Sequence, residues 1–440
     1  MTPDPMIFQR PAELLQQLIR IDTTNPPGNE IECISYLDKL LQSAGFETQI
    51  FSKDPKRGNL ITRLKGRGES APLLLYGHVD VVTTAKQDWA QDPFGGEVVD
   101  GYIWGRGALD MKGGIAMMVA ALMKMKAEGI TPPGDVILAC LSDEEAGGIF
   151  GARYMVEEHA EIFEGVRYAL SEIGGFNFSI MGKKLYPIQI AEKQSCWMRI
   201  TIRGEAGHGS MIVKDGAMAK LGEILTRLDR NLLSVHVTPA TRLMFGEMAS
   251  HFSFPIRTFI RLILNPRFTD LVFKIMGQDA STFTPLFHNT VNATIVQGGD
   301  KVNVIPSEIK VDLDGRLLPG FTPEDMIKEI RAMIGDEVEL EVVSYDPGPS
   351  APDIGFFDML GEVLVEMDPE AIPIPMMLTA VTDARFFSRL GIQTYGYTPM
   401  QLPEDMRFTR VIHGANERIP VEAVSFGTDA IYQVLQRFGG

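Results

Sequence analysis

Histidine and carboxylate side chains recur where apolar runs give way to glycine-rich turns. His78 and Asp80 close the run LLLYGHVDVV, and Asp110 stands inside GRGALDMKGG. Ser142, Asp143, Glu144 and Glu145 follow VILACL directly, and Glu172 precedes Gly174 and Gly175. A His and an Asp two apart share one face of a strand, so Asp80 can hold one imidazole nitrogen while the other faces outward, as in a metal-binding histidine. Gly105, Gly107, Gly113 and Gly114 let the backbone turn tightly around Asp110, which a carboxylate shared between two metals requires. Acids this close raise one another's pKa, and a nearby cation is the usual remedy. Each motif alone also has a plainer reading: a structural His–Asp pair, a turn, or an exposed acidic loop.

The elements that must position these groups follow from periodicity. Helical spacing of Leu14, Leu15, Leu18 and Ile19 predicts a helix over 11–21, stopped at Asn25-Pro26-Pro27-Gly28, and a second helix runs from about Glu30 to Gly45. Strands are expected at 60–64, 73–82, 136–142 and 166–170, with a helix at 114–128. That alternation marks an α/β domain with a mixed, mostly parallel sheet flanked by helices. Ligands bind at the carboxyl ends of strands in such sheets, so His78, Asp110, Glu144 with Glu145, and Glu172 are placed on four converging strand ends.

From Ser195 the order changes to strand 196–203, helix 216–230, strands 289–296 and 308–317, helix 323–334 and strand 337–344. This βαββαβ order is a ferredoxin-like layer inserted into the first domain. The division expected is 1–194 and 347–440 for one domain and 195–346 for the other. Residues 236–288 carry eight phenylalanines, at 245, 252, 254, 259, 268, 273, 283 and 287, and are read as a helical subdomain with its own apolar contacts. The rings can face a substrate, a partner subunit or each other; the expectation is that they roof a cleft and favour a large apolar acyl group. The last stretch returns to the α/β pattern, with a helix over 357–366, the segment Thr382-Asp383-Ala384-Arg385, His413 within VIHGANERI, and a closing helix over 421–437.

A chain of 440 residues exceeds the size at which one core keeps growing. Its net charge of −16 argues against nucleic acid as a partner. Three scattered cysteines are too few for a disulfide framework or a cysteine zinc site. The opening MTPDPMIFQRPAELL lacks a basic start followed by a long apolar run, and the most apolar stretch, near Phe259 to Leu264, is far short of the ~20 residues of a membrane span. A cytoplasmic protein with no membrane partner is expected.

Taken in order, GHVDVV, GRGALDMKGG, SDEEAGG, SEIGG, GEAGHGS, DLDGRLLPG, TDAR and HGANERI resemble the cocatalytic zinc peptidases and amidohydrolases that include glutamate carboxypeptidase, succinyl-diaminopimelate desuccinylase, acetylornithine deacetylase and aminoacylase. The resemblance covers nearly the whole chain. It implies that Asp110 bridges two Zn²⁺ ions, with Co²⁺ or Mn²⁺ as possible substitutes. His78 and Glu172 complete one site, and Glu145 and His413 the other. Glu144 is left as the general base and Asp80 as the partner of His78. His208 resembles the histidine that reaches the neighbouring subunit's active site and stabilises the oxyanion, which implies a homodimer and a lid or dimerisation role for the inserted domain. Arg316, Asn303 and Thr382 match positions that hold the substrate.

The chain departs from the family pattern at Thr83-Thr84, where proline is common, and at Ala380-Val381, where a glycine pair usually precedes TDAR. Glu172, where dipeptidases tend to carry Asp, leans toward carboxypeptidase or deacylase activity. The function expected is hydrolysis of an amide or peptide bond in an N-acyl amino acid or a short peptide with a free carboxylate. The alternatives are a dipeptidase or aminopeptidase with the same centre, and a non-catalytic metal-binding homologue.

Overall fold

The computed structural model describes residues 3–439. The chain forms two compact units, Met1–Ile190 with Asp353–Met376 and Thr382–Gly440, and Ala191–Pro352 with Met377–Val381. The seams fall near 190 and 352, and the short run 377–381 joins the second unit.

The main sheet has a parallel centre made of Val136–Leu141, Leu73–His78, Tyr168–Ser171 and Gln393–Gly396, in that order. Antiparallel strands flank it: Arg57–Leu64 and Thr48–Asp54 on one side, and Lys183–Glu192 on the other. Leu73–His78 and Val136–Leu141 are buried at every position, as strands covered on both faces must be, and so read as continuous apolar runs. Register sets the site: His78 lies opposite Leu141, and Gly396 opposite Ser171. The residues that follow these strands therefore emerge on one edge of the sheet.

Lys112–Ala127 packs against the helices Pro11–Ile19 and Val421–Arg437. Being covered nearly all round, it carries apolar residues on almost every side. Lys112 is itself buried, its Nζ donating to the carbonyls of Leu18 (3.0 Å) and Ile21 (2.6 Å) at the end of the first helix. Asp110 departs from the expected strand end. It lies in the turn that enters the Lys112–Ala127 helix, and the strand before it, Tyr102–Trp104, belongs to a separate small sheet with Val98–Val99 and Arg418–Pro420. Periodicity could not separate these because a three-residue strand carries too few side chains to register.

In the second unit, four antiparallel strands run in the order Thr290–Gln297, Glu308–Leu317, Gln194–Arg203, Glu339–Tyr345. Burial alternates along Glu308–Leu317, and its inward face with Met198, Ile200 and Ile202 packs against Met326 and Ile330 of the helix Pro323–Ile334. Thr322 and Asp325 form a reciprocal capping box at the start of that helix.

The insertion folds as the helices Pro239–Ser250, Ile256–Ile263 and Thr269–Met276. Phe287 lies at its centre, 5.0 Å from the Phe245 ring and 5.5 Å from the Phe273 ring, with Phe283 at 5.8 Å from Phe245. These four rings pack on one another, while Phe254 is 83% exposed. Among the described residues, no helix is long and apolar enough to cross a membrane.

Candidate metal centre

Five of the side chains singled out in the sequence converge in the first unit as two overlapping groups. The ligand atoms of His78, Asp110 and Glu172 lie within 4.8 Å of one another, as do those of Asp110, Glu145 and His413. Asp110 belongs to both, one carboxylate oxygen facing each imidazole: Oδ1 is 3.2 Å from His78 Nε2 and Oδ2 is 3.1 Å from His413 Nε2. Glu172 Oε2 is 3.5 Å from His78 Nε2, and Glu145 Oε1 is 3.3 Å from His413 Nε2.

Each group is positioned differently. His78 is the last residue of a fully buried strand. Glu172 follows the neighbouring strand, where its carbonyl passes so near Gly396 that a Cβ there would sit 2.4 Å from it. His413 lies in a loop, 50% exposed, with φ at +57°, a conformation uncommon outside glycine. Glu144 and Glu145 sit on a short turn whose entry residue, Asp143, also has positive φ.

Asp80 stands beside His78, its carbonyl nearer the ring than its carboxylate. His78 Nδ1 is 2.9 Å from the Asp80 carbonyl and 3.5 Å from its carboxylate. The carboxylate also accepts from the backbone N–H groups of Glu144 (3.1 Å) and Glu145 (3.2 Å) and from Asn25 Nδ2 (2.8 Å). Asp80 thus ties the histidine strand to the acidic turn. Alternation along a strand gives the face of a side chain, not whether its own carbonyl reaches the ring first.

Behind the turn lies a network the sequence reading missed. Asp143 faces inward rather than forming an exposed acidic loop: its carboxylate accepts from Arg57 Nη2 (2.7 Å), Asn25 Nδ2 (3.0 Å) and Phe150 N (3.1 Å). Arg57 pairs in turn with the buried Glu30 at 2.6 Å. Asp383 is also buried, and neither of its carboxylate oxygens has a hydrogen-bond partner among the described residues. No spacing rule points to Asn25, Arg57 or Glu30, which sit far from the motifs; Asp383 stood inside TDAR and was passed over for Thr382. Thr382 is buried, and its Oγ1 accepts from Ala384 N at 3.2 Å.

His208, Asn303 and Arg316 belong to the second unit. His208 is exposed, with Nδ1 2.8 Å from Ser210 Oγ, and it pairs in a two-stranded ladder with Val304, beside Asn303. Arg316 is engaged by Asp314 through two hydrogen bonds, at 2.8 and 3.1 Å.

The electrostatics are those of a cluster short of positive charge. Burial alone would lower the pKa of His78, but its contacts with Asp110, Asp80 and Glu172 outweigh that and hold it well above the usual imidazole value. Asp110 and then Glu145 push His413 up to about 10. Burial, reinforced by the charges of Asp110 and Asp383 against the opposing pull of His78, raises Glu172 to about 8. Glu144 is raised well above the carboxylate range, first by burial and then by Glu172. Protons on two imidazoles thus stand where divalent cations would serve better.

The residues fit such cations. Glu145 Oε1 is buried without a hydrogen-bond partner among the described residues, both Nε2 atoms are aimed at carboxylate oxygens, and a set of imidazole nitrogens and carboxylate oxygens suits zinc, with cobalt or manganese compatible.

The family model for Peptidase family M20/M25/M40 matches residues 74–437. The chain belongs to this family. It is accordingly a hydrolytic enzyme of a metal-dependent group. This M20 chain is 28% identical over 399 residues to "Probable carboxypeptidase S-like 2" of Dictyostelium discoideum, covering 86% of this chain and 74% of that one. It is 28% identical over 383 residues to human "N-fatty-acyl-amino acid synthase/hydrolase PM20D1", covering 83% and 74%. Its fold is shared with the M20 family metallo-carboxypeptidase Sso-CP2 from Sulfolobus solfataricus, at a TM-score of 0.72 and 15% identity over 97% of this chain and 98% of that one.

Proposed function

We propose that this M20 chain hydrolyses the amide bond of an N-acyl amino acid or of a short peptide ending in a free carboxylate. The observation that carries the reading is the single carboxylate of Asp110 presenting one oxygen to each of two imidazoles, 3.2 Å from His78 and 3.1 Å from His413, with Glu144, next in the chain to Glu145, outside both ligand groups.

In this reading His78, Asp110 and Glu172 hold one divalent metal, and Asp110, Glu145 and His413 the other. Bound there, the pair supplies a water acidified toward neutrality and a positive charge that polarises the scissile carbonyl. Glu144 takes a proton from the attacking water as its oxygen bonds to the carbonyl carbon. The same carboxyl then gives that proton to the departing nitrogen as the C–N bond breaks, leaving a carboxylic acid and an amine. Asp80 fixes the height of Glu144 through the backbone N–H it accepts from. Thr382, Asn303 and Arg316 contact the substrate, Arg316 meeting its carboxylate with the planar fork that Asp314 keeps oriented. His208 of one protomer of a homodimer stabilises the developing oxyanion in the other. The names of the relatives, a carboxypeptidase and an N-fatty-acyl-amino acid hydrolase, favour a substrate with a free carboxylate.

The test is a panel of N-acetyl, N-decanoyl and N-benzoyl amino acids and free dipeptides, assayed with Zn²⁺, Co²⁺ or Mn²⁺. Cleavage of acylated amino acids above dipeptides is expected. A strict need for a free substrate amino group would replace this reading with a dipeptidase, and equal or higher kcat/KM for acetyl than for decanoyl and benzoyl groups would make the phenylalanine insertion structural only.

A further inference from the structure

The two ligand groups are held by different means, and the difference has a structural source. His78 is buried at a strand end with hydrogen-bonding partners at both ring nitrogens, and Glu172 follows the adjacent strand. His413 is half exposed, in a loop, with a left-handed backbone conformation. Something else must keep it facing Asp110.

That role falls to a chain of polar groups, buried at Arg106 and Glu417 and partly exposed at Gln87. Glu417 is fully buried. Its Oε1 accepts from the backbone N–H groups of Leu109 (2.8 Å) and Asp110 (3.2 Å), and its Oε2 accepts from Arg106 Nη1 (2.6 Å). Arg106 Nη2 donates onward to Gln87 Oε1 (2.8 Å) and to the His413 carbonyl (3.3 Å). Gln87 Nε2 donates to that same carbonyl at 2.9 Å. The backbone carrying the shared carboxylate and the backbone carrying the loop histidine are thereby joined through three side chains. Trp89 closes the arrangement, its ring 5.2 Å from the Arg106 guanidinium and its Nε1 donating to Gln87 Oε1. A buried Arg–Glu pair is retained only when its remaining hydrogen bonds are satisfied, and here most of them are spent on the segments bearing Asp110 and His413.

We propose that Glu417, Arg106 and Gln87 are positioning residues for the Glu145/His413 metal site, so that the two metals bind with unequal affinity and the His78/Glu172 site fills first. This rests on the two-metal reading above. Loosening the His413 end of the relay leaves the strand-borne site intact, because Gln87 holds the His413 carbonyl and makes no hydrogen bond to His78, Asp110 or Glu172; Glu417, which also holds the Asp110 backbone N–H, acts on the carboxylate that both sites share.

The test is metal binding, not turnover. Chelator-stripped wild type, Gln87→Ala and Glu417→Gln are titrated with Zn²⁺ against a chromophoric chelator, with Co²⁺ spectra recorded in parallel. Wild type is expected to bind two metals per chain in separable steps. Gln87→Ala should keep the tighter step and weaken the other by about 10–100-fold, the usual cost of losing a partner behind a metal ligand, whereas Glu417→Gln, which also touches the Asp110 backbone, should weaken both. Circular dichroism checks the fold; if Glu417→Gln does not fold, the partly exposed Gln87→Ala decides alone. In Gln87→Ala, equal weakening of both steps, or none, overturns the relay. Wild type binding fewer than two metals overturns the two-metal reading itself, a distinct result.

Discussion

Replacing Glu144 by Gln removes one charge and leaves almost everything else in place. The new side chain has the same shape, and the backbone N–H that donates to Asp80 Oδ1 at 3.1 Å is untouched. The carboxylate of Glu144 is not among the converging ligand atoms, so both metals should remain. What is lost is the capacity to accept a proton from water. General base catalysis is worth about 10²–10⁴-fold, which at about 1.36 kcal/mol per decade is roughly 2.7–5.4 kcal/mol of activation free energy. The loss should fall on kcat, with KM little changed, since Glu144 is assigned no contact with resting substrate. The metal-free variant should also melt higher than metal-free wild type, because burial and the charge of Glu172 both oppose ionisation of Glu144, and the amide removes that opposition. Kinetics on an N-acyl amino acid, elemental analysis and thermal unfolding measure all three. Turnover within tenfold of wild type, at two metals per chain, would refute the assignment of Glu144.

Arg57→Met leaves Glu30 and Asp143 buried without their cation; breaking a buried pair on one side costs about 3–5 kcal/mol, so chemical denaturation should show a loss of that size. In metal-free protein, Glu172 at about 8 and His413 at about 10 hold protons that the unfolded chain, with values near 4.5 and 6.5, has already released. Stability should therefore fall as pH rises from about 4.5 to about 10. Metal-loaded protein should gain metal-linked stability over the same range, because the ligands must be deprotonated to bind. Melting curves against pH with and without chelator separate the two, and a metal-free Tm that is flat or rising over this window would contradict the protonation pattern.

Much of the arrangement was legible because strong signals coincide. Continuous apolar runs such as Leu73–His78 and Val136–Leu141 can only be buried strands, and the groups that follow them must share the edge where the strands end. The closing helix Val421–Arg437 came out at its expected bounds, since its apolar stripe is unbroken. Asp110 was misplaced onto a strand end because a glycine-flanked carboxylate looks the same whether a turn leads out of a strand or into a helix. Asp80 was given a contact with His78 that its own carbonyl makes more closely. The network of Asn25, Arg57, Glu30 and Asp143, and the relay from Glu417 to Gln87, join residues up to 311 positions apart, and long-range hydrogen bonds between ordinary polar residues leave no periodicity to read. The orphaned carboxylate of Asp383 is visible only once its surroundings are folded around it.

The central claim is that one carboxylate bridges two metals. Anomalous diffraction from zinc-loaded crystals tests it most directly. Two peaks about 3.5–4 Å apart are expected, both touching Asp110, one also bound by His78 and Glu172 and the other by Glu145 and His413. A structure in which Asp110 contacts neither metal, or in which one metal occupies the centre at saturating zinc, would contradict the account.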